Sequence, residues 1–285
     1  PQSGEELRTI SGELAESETH YAREENVLFP YLEKHGITEP PAIMWMEHDR
    51  IRAERKAVIA LIEDGAAGKL LAAKGQGLYD ILSSHFRKEE KILFPSALEV
   101  ISESEWKLIR KEFDKIGYTS FTPTVPTGPS LDEGTQDEEA EGEIQFTAGA
   151  LSPRELAALL DSLPIDITFI DKDDTVRYFN QAPGRIFVRS PAIIGRMVQN
   201  CHPQKSVHVV NRILKEFKSG KRDEAAFWIN MAGKTVYIRY FPVRDKAGEY
   251  LGTLEVTQDI TQIRSIEGEK RLLDEETNPK EDKNG

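Results

Sequence analysis

Apolar and polar positions along the chain follow two different periods. Through residues 5–34, Leu7, Ile10, Leu14, Val27, Leu28 and Leu32 recur at helical spacing among charged residues, which predicts a helix, with Gly36 as its stop. Pro30 lacks an N–H and should bend or end the regular hydrogen bonding a little earlier. A second helix is predicted over residues 42–63 after the Pro pair at 40–41. A loop follows at Gly65 to Gly68, then a third helix over 69–99. A fourth begins at the capping box Ser102-Glu103-Ser104-Glu105 and runs to Gly117. Residues 1–118 therefore read as all-α, with connections short enough for an up-and-down helical bundle.

The pattern then breaks. Residues 119–150 are rich in Thr and Pro and then acidic, a composition that cannot bury enough apolar surface to order itself, so a disordered linker is expected. From residue 151 a short helical signal containing Pro153 leads into period-two segments. Strands are predicted at 165–171, 175–180, 224–231, 235–243 and 250–258, with short helices within 181–200 and a longer one over 205–219. Two strands, then helices, then three strands predict an α+β domain over 151–265, built on a five-stranded antiparallel sheet. A helix leaving the sheet is expected over 259–274, with a polar tail within 266–285.

At 285 residues and 39% hydrophobic content, the chain has room for about two packed domains. The net charge of −12 argues against a nucleic-acid partner held by phosphate neutralisation. Seven acidic residues fall between 132 and 143, so most of that excess sits in the linker. The single cysteine, Cys201, excludes an internal disulfide framework and fits a reducing cytoplasm. No apolar run is long enough to span a membrane.

One stretch occurs twice. Residues 20–30 read HYAREENVLFP and residues 85–95 read HFRKEEKILFP, with six of eleven positions identical. Each copy places a His four residues before a Glu: His20 and Glu24, His85 and Glu89. On a helix this spacing stacks imidazole and carboxylate on one face. Two such pairs facing across a bundle, with the lone His48, form a mixed nitrogen and oxygen donor set that suits iron, manganese or zinc. Glu25, Glu47 and Glu90 are candidates to hold a ligating imidazole by its other N–H. His35 reads as a helix-terminal residue and the two LFP segments as core packing.

On these residues (HYAREENVLFP, MEHDRIR around His48, and HFRKEEKILFP) the first 118 positions resemble the hemerythrin-like, HHE cation-binding family. The resemblance implies a non-haem di-iron centre in a four-helix bundle. His20, His48 and His85 would be terminal ligands, and Glu24 and Glu89 bridging carboxylates. It also implies one more histidine. His48 precedes His85 by 37 positions, and the equivalent partner of His20 falls upstream of Pro1. The expectation is a bundle that lacks its first helix and binds metal poorly or by association.

Residues 151–262 resemble a PAS domain, on LPIDITFIDKDDTVRYFN at 163–180, FKSGK at 217–221 and GTLEVTQDIT at 252–261. That resemblance implies a ligand-binding or dimerising sensor module. It raises the alternative of haem held by His208, on the long helix; His202 and Cys201 lie just before it. Phe169, Tyr178, Phe187, Phe227, Trp228, Ile238 and Tyr240 are read as core or pocket. The combined expectation is a cytoplasmic sensor. Its di-iron site would respond to oxygen, nitric oxide, redox or iron status and signal through the PAS unit to an unidentified partner, as a homodimer. A di-iron oxidoreductase or iron-centre repair protein is the enzymatic alternative.

Overall fold

The computed structural model describes residues 4–65, 68–119 and 142–269. The first rod is built from α1 (Gly4–Glu16), α2 (Glu18–Arg23), a π-helical turn (Glu24–Leu28) and α3 (Phe29–Lys34). It is followed by α4 (Glu39–Glu63), and by a third rod of α5 (Lys69–Lys88), a second π-helical turn (Glu89–Leu93) and α6 (Phe94–Val100). The last rod, α7, spans Glu103–Ile116.

Pro30 does not end its helix. It and Pro95 each follow a π turn, in which the Phe29 amide donates to the Glu24 carbonyl and the Phe94 amide to the Glu89 carbonyl, five residues back. Widening the turn lets the helix pass a residue that has no N–H to give. The Ser102 capping box on α7 forms as expected, with Ser102 and Glu105 satisfying each other's backbone amides.

The bundle core gathers Val27, Leu28, Phe29 and Leu32 from the first rod, Leu93 and Ala97 from the third and Ile109 from α7. A second cluster of Tyr21, Ile51, Val58 and Leu78 fills the other end.

The second half carries α8 (Pro153–Asp161), α9 (Gln204–Lys218), and β3 (Asp166–Asp171), β4 (Val176–Phe179), β5 (Ala225–Met231), β6 (Lys234–Arg244) and β7 (Tyr250–Asp259) after the hairpin described below. These five strands form one antiparallel sheet in the order β4-β3-β7-β6-β5. Asn180, fully buried, ties α8 to it. Its amide donates to the carbonyls of Leu160 and Ile165, and its oxygen accepts from Ile167 N–H.

Three expectations are corrected. Part of the predicted linker is ordered: β1 (Ile144–Phe146) and β2 (Gly149–Leu151) pair as a hairpin, with Gly149 at a positive φ of 125° that glycine accepts readily. The Pro/Thr-rich and acidic stretch at 120–141 lies outside the described residues. Over the described part of the helix predicted at 259–274, residues 259–269, no α-helix forms. β7 runs on to Asp259, whose carboxylate accepts from the Thr261 amide, and Ile260 N–H donates to the Thr235 carbonyl. Among the described residues after it there is a single 3₁₀ turn, at Ile263–Ser265, and the tail from residue 270 lies outside them. Trp228 is not core but exposed, on β5 at the edge of the sheet.

The two halves touch. Ala192, in a 3₁₀ turn at Pro191–Ile193, packs into the same buried cluster as Val27 and Phe29.

Candidate metal centre

The first rod, α4 and the third rod deliver four buried side chains to one point. Glu24, His48, His85 and Glu89 each offer a ligand atom within 4.8 Å of the others. Both imidazoles are inaccessible to solvent. His48 Nε2 lies 3.1 Å from His85 Nε2 and 3.2 Å from Glu24 Oε2, and His85 Nε2 lies 2.8 Å from Glu89 Oε1. His20 joins from the rim. Its Nε2 is 3.2 Å from Glu89 Oε1 and 3.8 Å from Glu24 Oε1, with a side chain 29% exposed.

The outer nitrogens are held by carboxylates. Glu25 Oε1 lies 2.8 Å from His48 Nδ1, and Glu47 Oε2 lies 3.0 Å from His85 Nδ1. A carboxylate on Nδ1 favours the tautomer with its proton there, which leaves the Nε2 lone pairs facing inward. Arg52 grips Glu25 through two parallel hydrogen bonds of 2.8 and 3.0 Å, and Lys88 pairs with Glu47. Glu90, the third carboxylate expected in such a role, is exposed instead. Phe29 stacks on His48 with ring centroids 5.8 Å apart, and the Tyr21 ring lies 4.5 Å from it.

This environment shifts protonation. Burial alone would raise the Glu89 carboxyl, but the His20 and His85 imidazoles outweigh it and pull it down to about 2. Burial would lower His48, but the Glu24 and Glu25 carboxylates outweigh it and hold the imidazole above its ordinary value. Tyr21 is pushed up to about 12 by burial.

The donor set fits a cation. Both carboxylate oxygens of Glu24 are buried without a hydrogen-bond partner among the described residues, although His48 is near. Unsatisfied buried carboxylate oxygens are costly. Two imidazole nitrogens and two carboxylates facing them are the donors that iron, manganese or zinc prefer.

The other candidates fall elsewhere. His35 caps α3 and contacts Glu105 at 3.0 Å, away from the cluster. His208 sits exposed on α9 and does not line the cavity between that helix and the sheet. That cavity, about 510 Å³, is walled by Ile170, Val198, Ile213, Ile238 and Tyr240, and the histidine that lines it is His202. His202 Nδ1 is tied to the Val198 carbonyl at 2.9 Å, and burial keeps its pKa low. Burial raises the Cys201 thiol, so it is a quiet group and not an activated one.

Sequence reasoning missed Arg52, Tyr21 and Arg196. Arg52 stands one helical turn after His48, a spacing that could have shown it on the ligand's face. Arg196 reaches the bundle from the other domain and left no local signal.

The family described as the hemerythrin HHE cation binding domain matches residues 3–97, and a PAS domain family matches residues 156–261. Among solved structures, the C-terminal domain of a Streptococcus mutans protein is similar at 36% identity, covering 44% of this chain and 96% of that one, with a TM-score of 0.42. The PAS domain of a Colwellia psychrerythraea protein is similar at 16% identity over 38% of this chain and 97% of that one, TM-score 0.30. A sensory box sensor histidine kinase from Vibrio cholerae shows 14% identity over 37% and 89%, TM-score 0.29. No curated protein matches the sequence. No helix among the described residues is long and apolar enough to cross a membrane. Residues 3–97 are thus a hemerythrin HHE cation-binding domain, followed at residues 156–261 by a PAS domain.

Proposed function

We propose that this is a cytoplasmic sensor in which a non-haem di-iron site in the helical domain responds to oxygen, nitric oxide, redox or iron status and is read out by the PAS domain. The observation that carries this reading is the burial of Glu24, His48, His85 and Glu89 around one point, with Glu24 left unsatisfied. His20, half-buried at the rim, completes the donor set on the side nearest solvent. When bound there, iron would supply one-electron chemistry and affinity for small diatomic ligands.

The chain's own contribution is to fix and shield the donors. Glu25 and Glu47 orient the two imidazoles, Arg52 and Lys88 hold those carboxylates, and Phe29 and Tyr21 wall the site from water. The PAS half would carry the signal onward by self-association, for which the exposed Trp228 on edge strand β5 offers apolar surface.

The test is to load the full chain with Fe(II) without oxygen, then expose it to oxygen or nitric oxide. The expected result is bound iron and an optical change with either gas, both lost in His85→Ala. A wild-type chain that retains no iron, or whose iron ignores both gases, overturns the reading.

A further inference from the structure

The first π turn exposes an acceptor that its own helix cannot satisfy. The Phe29 amide donates to the Glu24 carbonyl, and Pro30 has no N–H. The Glu25 carbonyl is thereby left without its donor four residues on, and the position five residues on supplies none. The partner comes from the PAS domain: Arg196 Nη1 donates to the Glu25 carbonyl at 3.1 Å. The remaining edge of the guanidinium clamps Glu33, with Nε and Nη2 at 2.7 and 2.6 Å from its two oxygens. The same guanidinium lies over Trp45, 5.5 Å from the ring centroid. Asn200 Nδ2 adds a longer contact to Glu33, at 3.4 Å. Arg196 is buried, so this clasp is shielded from solvent in a way that surface ion pairs are not.

Glu25 therefore faces two ways. Its side chain holds His48 Nδ1 and its carbonyl holds Arg196. On the PAS side, the Arg196 amide donates to Ile193 and its carbonyl accepts from Val176 at the start of β4. Val198 and His202, a few residues on, line the PAS cavity. One carboxylate, one peptide and one guanidinium span the gap between a candidate ligand and that cavity's wall.

We infer that Arg196 is the residue that couples the metal centre to the PAS cavity, with the clasp to Glu25 and Glu33 as a two-state element that is docked or released. This rests on the metal reading proposed above. With His48 Nε2 committed to a cation, its Nδ1–H becomes the stronger donor to Glu25. That fixes the π turn and the carbonyl that Arg196 grips, so metal binding favours the docked state. Linkage then requires the reciprocal effect: breaking the clasp weakens metal binding.

The experiment uses the full chain and cobalt(II), whose visible spectrum reports its own binding, with amide hydrogen exchange as the second readout. In the wild type, saturating cobalt is expected to slow exchange across residues 190–202. In Arg196→Leu, cobalt still binds but roughly 5-fold or more weakly, and exchange across 190–202 no longer responds. Glu33→Gln keeps the size of the side chain and removes its charge, and is expected to shrink the response should Arg196→Leu fold poorly. Lys205→Ala deletes the pair that the exposed Lys205 makes with the half-buried Asp49 at 3.1 Å, and is expected to behave as wild type. A response across 190–202 that survives both Arg196→Leu and Glu33→Gln overturns the coupling. So does a wild-type chain that binds cobalt with no response there. A wild-type chain that binds no cobalt overturns the metal reading itself, and the coupling with it.

Discussion

The two copies of the repeated segment share most of their residues and little of their surroundings. In the first, Tyr21, Val27 and Phe29 are 1%, 0% and 0% exposed; their counterparts Phe86, Ile92 and Phe94 are 46%, 48% and 36% exposed. The first copy is covered by Ile109 of α7 and, from the PAS domain, by Ala192. At the histidines the order reverses: His85 is fully buried and His20 stands at the rim. Both π turns free a carbonyl that their proline cannot help to satisfy, at Glu25 and at Glu90. Only the first is answered by Arg196. The repeat thus encodes an inward face, where Glu24 and Glu89 are equally buried, while the outward face takes its character from whatever packs against it.

The largest effect that sharpens this contrast is on metal binding. His85→Ala is expected to abolish retention of iron after dialysis, and His20→Ala, at the rim, to leave part of it; metal analysis of the two variants checks this. Next comes stability. Phe29→Ala should cost about 3–5 kcal/mol, as for a fully buried phenylalanine, and Phe94→Ala less than half as much, read by urea unfolding. Equal costs would break the comparison.

Third is the second carboxylate of each copy. Glu25→Gln should weaken metal binding about 10–100-fold through the loss of its hold on His48, while Glu90→Gln, with an exposed side chain, should leave a metal titration unchanged. The smallest effect concerns α7, whose Ile109 packs in the cluster that buries Val27 and Phe29 of the first copy. Ser102→Ala should cost about 1 kcal/mol. Hydrogen bonds from the Ser102 backbone and side chain hold the Glu105 carboxyl below its ordinary value. A lowered folded-state pKa stabilises above the unfolded-state value and is lost as pH falls through the folded one. The difference between wild type and Ser102→Ala in unfolding experiments should therefore narrow in acid.

Much of this was legible in the chain. Five strands fell where period-two patterns ended at turn residues, and the long PAS helix where apolar positions recur from Val207 to Phe217. His20, Glu24, His85 and Glu89 were legible because helical spacing alone puts each pair on one face, and the duplication set the pairs against each other. Three features were not. The exposure of Phe94 against the burial of Phe29 depends on neighbours distant in sequence. Arg196 meets Glu33 across two domains, a contact with no periodic signature. The hairpin at 144–151 is so short that its polar flanks masked it. Pro30 is legible as a residue that bends or ends regular helix; the form this takes, a wider turn with a free carbonyl, follows from the helix continuing past it.

The most direct test of the central claim is anomalous scattering at the iron edge from crystals of the chain grown with Fe(II). The expected result is a peak enclosed by Glu24, His48, His85 and Glu89, with His20 at its open side. Iron bound elsewhere on the chain, or a cluster that closes on its own hydrogen bonds with no peak inside it, would contradict it.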